Sequence, residues 1–404
     1  MKSAYAGPME QIFGKWGANV TDAARAPALA AELAARAERW MLGSAFPFWA
    51  KQAPSPDGGF FERLSLDGRP VTGEDSRVRV QARMGYSFAL AAELGWDREQ
   101  SRQLAERAVA VLAKECRRDD GLYGRMVRPG RGLTDDTAQA YDTAFALLAF
   151  ATAYRTLGLE SARQAGEELS QAIDSELIRP AEEGGYKEQL PAPAIRAQNP
   201  HMHLTEASIA WFEASGDPAS LKRAETIVGF LRQRFFRDDL GLLVEFDGVE
   251  DAENRTEAGH MFEWVWILGR LRALGGAVPE GFADAMHTGG LKLIDGLGYL
   301  PLSQNLHRAV VAPQQRTWGP TEMLKAHIAQ WRAQPSDERA VMVVTTAQNL
   351  FADHIDGALP GAWIDTISPA RDPLITDITP ATGYHVFLAF KELMDFAREL
   401  ATHQ

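Results

Sequence analysis

One cysteine in 404 residues, Cys116, rules out an internal disulfide and any zinc cage built from cysteines. Long apolar runs are missing as well. The longest, Ala144 to Ala153, is too short to cross a bilayer. Met1 to Gly14 shows no apolar segment after a basic start, so no secretory signal is visible and the chain reads as cytoplasmic. Positive charge is in deficit. Lys and Arg number 42 against 54 Asp and Glu, a formal net charge of -12. A nucleic-acid surface needs clustered Lys and Arg, so that partner class is excluded. The balance suits a neutral small ligand. There is no Gly-rich phosphate loop, no Gly-x-Ser-x-Gly elbow and no His-Glu-x-x-His helix.

What is present is core-forming material. Hydrophobic residues make up 46% and charged residues 24%, enough for a large packed interior. Apolar positions recur with helical spacing through most of the chain, while alternation of the strand kind is scarce. Short apolar pieces such as Leu242 to Phe246 sit between Gly and Asp, as hairpin strands do. About twelve helical segments can be drawn, from the first near Ala24–Leu42, through others such as His203–Ala214 and Phe282–Gly296, to the last near Pro380–Ala401. No low-complexity linker divides them, so residues 1–404 read as one domain.

A longer rhythm runs through these helices. Arg83, Tyr141, His203, His260, Glu322 and His385 are separated by 58, 62, 57, 62 and 63 residues, the simple differences of their numbers. Each interval is about two helices with their loops, so every second helix offers one such residue. A ring of helix hairpins places alternate helices inside, which predicts an all-α (α/α)6 barrel of about twelve helices. Six inner helices would then aim these side chains into one cavity. Asn199-Pro200, Gly319-Pro320 and Thr379-Pro380 mark helix starts, with Asn or Thr as caps and Pro in the first turn. The polar residues would therefore gather at one mouth, near free N–H groups and helix dipoles.

Each constellation has two readings. His260 and Glu263 share a helix face in Gly259-His260-Met261-Phe262-Glu263-Trp264, where a carboxylate can orient an imidazole and Gly259 can admit a substrate. A buried histidine satisfied locally is the plain alternative. His385, beside Tyr384 and Phe387, is a core polar group or a proton carrier. His201-Met202-His203 has a metal-like spacing, but two residues align both rings only on a strand, and Asn199-Pro200 argues for a helix. Sugar contacts fit it better than a metal. Arg83 can donate to several hydroxyl oxygens, Trp318 can stack on a sugar ring, and Glu263, Glu322 and Tyr141 can hold hydroxyls. Each of these could equally be core or solvated surface. Taken together, His, Arg, Glu, Trp and Tyr suit an uncharged, hydroxyl-rich ligand.

The ordered series of motifs resembles the N-acylglucosamine 2-epimerase superfamily. It begins with Gly58-Gly59-Phe60-Phe61-Glu62 and Leu66-Asp67-Gly68-Arg69-Pro70. It continues through Gln81-Ala82-Arg83-Met84, Tyr141-Asp142, Asn199-Pro200-His201-Met202-His203 and Gly259-His260-x-x-Glu263-Trp264, and ends with Trp318-x-x-x-Glu322 and Tyr384-His385. The resemblance implies an (α/α)6 barrel, in agreement with the helix rhythm. It implies that His260 and His385 are the general acid/base pair and that Arg83 faces the sugar oxygens. It places Tyr141, Asn199, His203, Glu263, Trp318 and Glu322 in the pocket. Ala258 departs from the Pro that precedes the Gly-His pair in many relatives. The form of the Asn-Pro-His-Met-His motif is most similar to the mannose isomerase branch. That implies interconversion of D-mannose and D-fructose, with D-lyxose and D-xylulose as related substrates, through a cis-enediol and without metal or other cofactor. A 2-epimerase acting on N-acetylglucosamine, glucose or cellobiose shares the same residues. A glycoside hydrolase or lyase on the same barrel would need two placed carboxylates, for which Asp142, Glu206, Glu263 and Glu322 are available. A non-catalytic helical scaffold is a third rival. The partner expected is a monosaccharide, with neither nucleic acid nor membrane, and the assembly is left open between monomer and homodimer.

Overall fold

A computed structural model describes residues 23–403. The sequence reading of Met1 to Gly14 lies outside the described residues. Six long helices form a closed inner ring. They are α3 (Val78–Glu93), α5 (Ala140–Leu157), α7 (Gln198–Ser215), α9 (Ala258–Ala273), α11 (Trp318–Ala333) and α13 (Gly383–His403). Each packs on the next, and α13 returns to α3. A second ring lies outside. It comprises α4 (Arg98–Val111), α6 (Glu160–Ala172), α8 (Pro218–Arg234), α10 (Phe282–Leu291) and α12 (Asp337–Leu350), each backing the inner helix before it. The helix α1 (Ala26–Trp40) closes that ring against α12 and α13. The expected (α/α)6 barrel is what the chain forms.

Sequence dictates which helix goes where. Inner helices such as α5, with its run Ala144 to Ala153, are apolar nearly all round and buried nearly all round. Outer helices such as α6 are amphipathic, with Ala162, Leu169 and Ala172 turned inward and Glu160, Arg163 and Glu167 paired outside. Burying each large apolar side chain contributes roughly 1.5–3 kcal/mol.

Short strands fix where the inner helices start. β1 (Ser76–Arg77), β4 (Ala138–Gln139), β6 (Arg196–Ala197), β10 (Arg255–Thr256) and β13 (Gln315–Arg316) each lead into an inner helix. Each is paired antiparallel to another segment: β1 to Met126–Arg128, β4 to Gln189–Leu190, β6 to Phe246–Asp247, β10 to Ser303–Asn305 and β13 to Thr366–Ile367. These pairings tie the first turns of the inner helices to one end of the barrel. The Gly58-Gly59-Phe60 motif serves the same end. Gln81 on α3 binds both backbone groups of Phe60 at 2.8 Å, and a Cβ on Gly59 would sit 2.4 Å from its Oε1.

Boundaries differ from the sequence expectation at three places. α1 runs through a wide turn at Met41–Ala45 into a further helix, α2 (Phe46–Gln52), because Pro47 falls in its first turn, where a missing N–H costs nothing. α7 begins at Gln198, ahead of the expected His203, because β6 pairing ends at Ala197 and Pro200 sits in the first helical turn. Its cap position is Ala197, so Asn199 is inside the helix and is not its cap. α10 stops at Leu291 just past Gly289-Gly290, short of the expected Gly296, since paired glycines weaken a helix. The Thr379 cap is as read, its hydroxyl accepting from the Ala381 N–H. Among the described residues no helix is long and apolar enough to cross a membrane.

Candidate active site

The six rhythmic residues fall one to each inner helix: Arg83 on α3, Tyr141 on α5, His203 on α7, His260 on α9, Glu322 on α11 and His385 on α13. At the end where these helices begin lies a cavity of about 480 Å³. Arg83, Tyr141, Asn199, His203, His260, Glu263, Trp318 and His385 all line it. Glu322 stands one layer back, fully buried behind His385.

His260 sits between carboxylates. Its Nδ1 donates to Glu245 Oε1 at 2.9 Å and lies 3.5 Å from Glu257 Oε2. Burial opposes a charge there, but the two carboxylates outweigh it and push the His260 pKa up to about 9. The ring is therefore an imidazolium at neutral pH, its Nδ1–H held by Glu245 and its Nε2–H turned to the cavity. Its Nε2 meets the Asn199 side-chain amide at 3.3 Å. The orienting carboxylate is Glu245, from the β8–β9 turn (β8, Leu242–Leu243; β9, Phe246–Asp247), and not the Glu263 that shares the helix face. Glu245 is itself held: Gln198 Nε2 donates to its Oε2 at 3.1 Å, and Trp264 Nε1 donates to Gln198 Oε1 at 2.8 Å.

His385 has the opposite character. Burial, aided by the Arg83 and Lys325 charges, holds it well below the usual imidazole range. Its Nδ1 lies 2.7 Å from Glu322 Oε1. A neutral ring that gives its Nδ1 proton to a carboxylate keeps its lone pair on Nε2, as a general base requires. Trp318 stands between the imidazoles, its ring 4.9 Å from that of His260 and 6.1 Å from that of His385. Gly259 makes room for this indole: a Cβ there would lie 2.4 Å from Trp318 Cζ3. The glycine thus admits a side chain of the protein, which corrects the expectation that it admits substrate.

The floor of the cavity is acidic and polar. His203 Nδ1 is 3.5 Å from Glu206 Oε2 and 3.7 Å from Glu263 Oε1. Burial holds His203 down to about 4, so it is neutral. Burial and the neighbouring Glu322 charge lift Glu263 well above the carboxylate range, so Glu263 keeps its proton and can donate to a hydroxyl oxygen. Arg83 is anchored by Ala381 O at 3.1 Å and Tyr141 Oη at 2.8 Å, with its guanidinium 4.1 Å from the Phe145 ring centre.

Among the described residues, three groups of His and carboxylate side chains bring ligand atoms within 4.8 Å of one another: His203 with Glu206 and Glu263, His260 with Glu245 and Glu257, and His385 with Glu263 and Glu322. Two already contain a cation. His260 supplies it in the second, and in the third Lys325 Nζ sits 2.7 Å from Glu322 Oε2. The His201-x-His203 spacing does not converge. His201 Nδ1 donates to Ala197 O at 2.9 Å and its Nε2 accepts from the Tyr186 N–H at 3.1 Å. Asp142, weighed as a carboxylate for hydrolysis, pairs with Arg79 at 3.2 Å.

Sequence reasoning did not single out Glu245, Lys325, Arg255, Arg316 or Thr382. Lys325 could have been found from its spacing, since Glu322 and Lys325 are three apart on one helix face. Glu245 could not, because a tight turn brings it 15 residues forward onto His260.

Comparison with known proteins completes the picture. The family model for N-acylglucosamine 2-epimerase (GlcNAc 2-epimerase) matches residues 59–389. A protein of Rhizobium meliloti named mannose-6-phosphate isomerase is 29% identical over 89% of this chain and 96% of its own length. D-mannose isomerase of Thermobifida fusca is 24% identical over 80% of this chain and 85% of its own. Among solved structures, the cellobiose 2-epimerase of Spirochaeta thermophila superposes with a TM-score of 0.82 at 18% identity, covering 92% of this chain and 98% of that one.

Proposed function

The chain belongs to the N-acylglucosamine 2-epimerase family, a family of sugar epimerases and isomerases, and from that premise we propose that it interconverts D-mannose and D-fructose through a cis-enediol. The observation that carries this is the pair of imidazoles held in opposite protonation states in one cavity, His260 charged and His385 neutral. Two titratable groups pushed apart by their surroundings are what separate acid and base roles need.

In this reading His260 gives a proton to the ring oxygen as the C1–O5 bond breaks and accepts the O1 proton. His385 Nε2 then takes the C2 proton, leaving an enediolate. Arg83 and His260 stabilise the negative oxygen, and His260 protonates O1 to give the enediol. Return of the proton from His385 to C1, with transfer of the O2 proton to the now neutral His260, yields the ketose and restores both imidazoles. Asn199, Tyr141, His203 and Glu263 hold hydroxyls, Trp318 packs on the sugar, and Glu322 orients His385. Residues 1–404 act as one catalytic unit.

The D-mannose isomerase relative supports the substrate. Another relative's name specifies a phosphorylated sugar. Against phosphate here, the guanidinium groups near the mouth are already paired: Arg79 with Asp142, Arg316 with Asp365 at 3.0 Å, and Arg255 with Glu257 at 3.3 Å. We therefore favour the free sugar. The test is to offer D-mannose, D-lyxose and mannose 6-phosphate separately and identify the products. Fructose from mannose is expected. Glucose as sole product would make the protein a 2-epimerase, and turnover of the phosphate ester alone would reverse the substrate assignment. With deuterium at C2 of mannose, part of the label should appear at C1 of fructose. Complete transfer of the label to C1, with none lost to water, would point to a hydride shift and refute the enediol.

A further inference from the structure

Beneath the cavity lies a buried group that the proposed steps do not use. Lys325, on α11, is wholly inaccessible to solvent. Its Nζ sits 2.7 Å from Glu322 Oε2 and 4.0 Å from the centre of the Trp266 ring. Three buried carboxylates surround it: Glu322 from its own helix, Glu206 from α7 and Glu263 from α9. The other groups facing this cluster are few. His203 comes from α7, His260 and, on the Glu206 side, Arg270 from α9, and Tyr384 and His385 from α13. Arg83 and Tyr86 come from α3, and Arg316 from β13.

One ammonium thus serves three acids. Glu263 remains protonated. Glu206 is ionised: burial opposes it, but His203, Lys325 and the Tyr384 hydroxyl hold its pKa below the usual value. Glu322 is the balanced member. Burial pushes it up to about 7 against the pull of Lys325. Its charge decides the tautomer of His385. An ionised Glu322 can only accept, so the His385 proton stays on Nδ1 and Nε2 is free to take a proton. A protonated Glu322 donates to Nδ1, moves the ring proton to Nε2 and removes the base.

We propose that Lys325 is a positioning residue of the proton-transfer machinery, which by pairing with Glu322 keeps that carboxylate ionised and so fixes His385 with its lone pair toward the sugar. This rests on the reading of His385 as the base. Its physical core, the tautomer of His385, can be measured without any sugar.

The experiment compares Lys325→Met and Lys325→Gln with the wild type. Nitrogen-15 histidine NMR reports the tautomer, the His385 signal being identified by its loss in His385→Asn. The expected result at pH 8, where wild-type Glu322 with its pKa of about 7 is mostly ionised, is a shift of the His385 proton from Nδ1 to Nε2 in both variants. In turnover of whichever sugar the wild type accepts, kcat should fall at least about tenfold with KM changed less than about threefold. The acid limb of kcat/KM should move to higher pH, since Glu322 without its counterion takes up a proton at higher pH. Lys325→Gln keeps a polar head and serves if Lys325→Met does not fold. A folded variant that keeps both the Nδ1 proton on His385 and the wild-type acid limb overturns the proposal. So does a kcat loss without movement of either, which marks a merely structural lysine. A wild type inert on every sugar, with the tautomer shift intact, would refute the functional reading and leave the role of Lys325 standing.

Discussion

Replacing Glu245 by Gln isolates the charge that makes His260 an acid. The amide oxygen still accepts from Nδ1, so the ring stays oriented while the charge is lost. His260 lies near pKa 9 against an ordinary value of 6.5. At 1.36 kcal/mol per unit, the carboxylates therefore exceed burial by roughly 3 kcal/mol. Glu245 is the nearer of the two, at 2.9 Å against 3.5 Å for Glu257. Its loss should bring His260 down by about two units, toward pKa ~7. The assay is the pH dependence of kcat. An acid works only while protonated, so its pKa sets the basic limb, which should fall by about two units. At pH 8 the charged fraction then drops from about nine-tenths to about one-tenth, a roughly tenfold loss, while the rate at pH 6 changes little. Stability follows the same sign. Because the folded pKa is raised, the stabilisation is complete below about 6.5 and disappears as pH rises through about 9. The gap in Tm between wild type and variant should be widest below pH 6.5 and close toward pH 9. A basic limb that does not move in Glu245→Gln would show that His260 is not held charged by this carboxylate, and the acid assignment would fail with it.

Three further outcomes are expected. His260→Asn and His385→Asn should each lower turnover at least about a hundredfold with the circular dichroism spectrum unchanged, and near-wild-type rates in either folded variant would remove it from the mechanism. Gly259→Ala should displace Trp318, costing about 1–3 kcal/mol in chemical denaturation and raising KM; an unchanged midpoint would show that the indole has room to move. His287 and His327 lie buried with ring centres 5.1 Å apart, and burial holds His287 down to about 3 and His327 well below its usual range. Their folded pKa values are depressed, so the stability they allow is present above about pH 6.5 and is lost as pH falls toward 3. His287→Leu should flatten that acid slope by up to about one proton, 1.4 kcal/mol per pH unit, and an unaltered slope would mean His287 is already charged in the fold.

The barrel was legible because its signal is repetitive. Apolar helices alternate with amphipathic ones, and a single polar residue recurs on each apolar helix at nearly constant spacing. Arg83, Tyr141, His203, His260 and His385 could thus be assigned to one cavity before any coordinates. Glu322 was placed in the same layer, but the structure sets it behind His385. The helix start at Gln198 and the helix Phe46–Gln52 escaped because strand pairing and first-turn prolines decided them, and neither shows in apolar periodicity.

By itself the sequence determined the class of fold and the identity of the polar side chains, since local periodicity and composition fix which face of each helix is buried. It could not determine the protonation of those side chains. His260 and His385 are the same residue type on equivalent helices, yet one is held charged by Glu245 and Glu257 and the other neutral beside Glu322 and Lys325. Those partners come from a turn, a strand end and a neighbouring helix. Only closure of the ring brings them within hydrogen-bonding distance and takes the whole group out of water, and charge in a buried site depends on both.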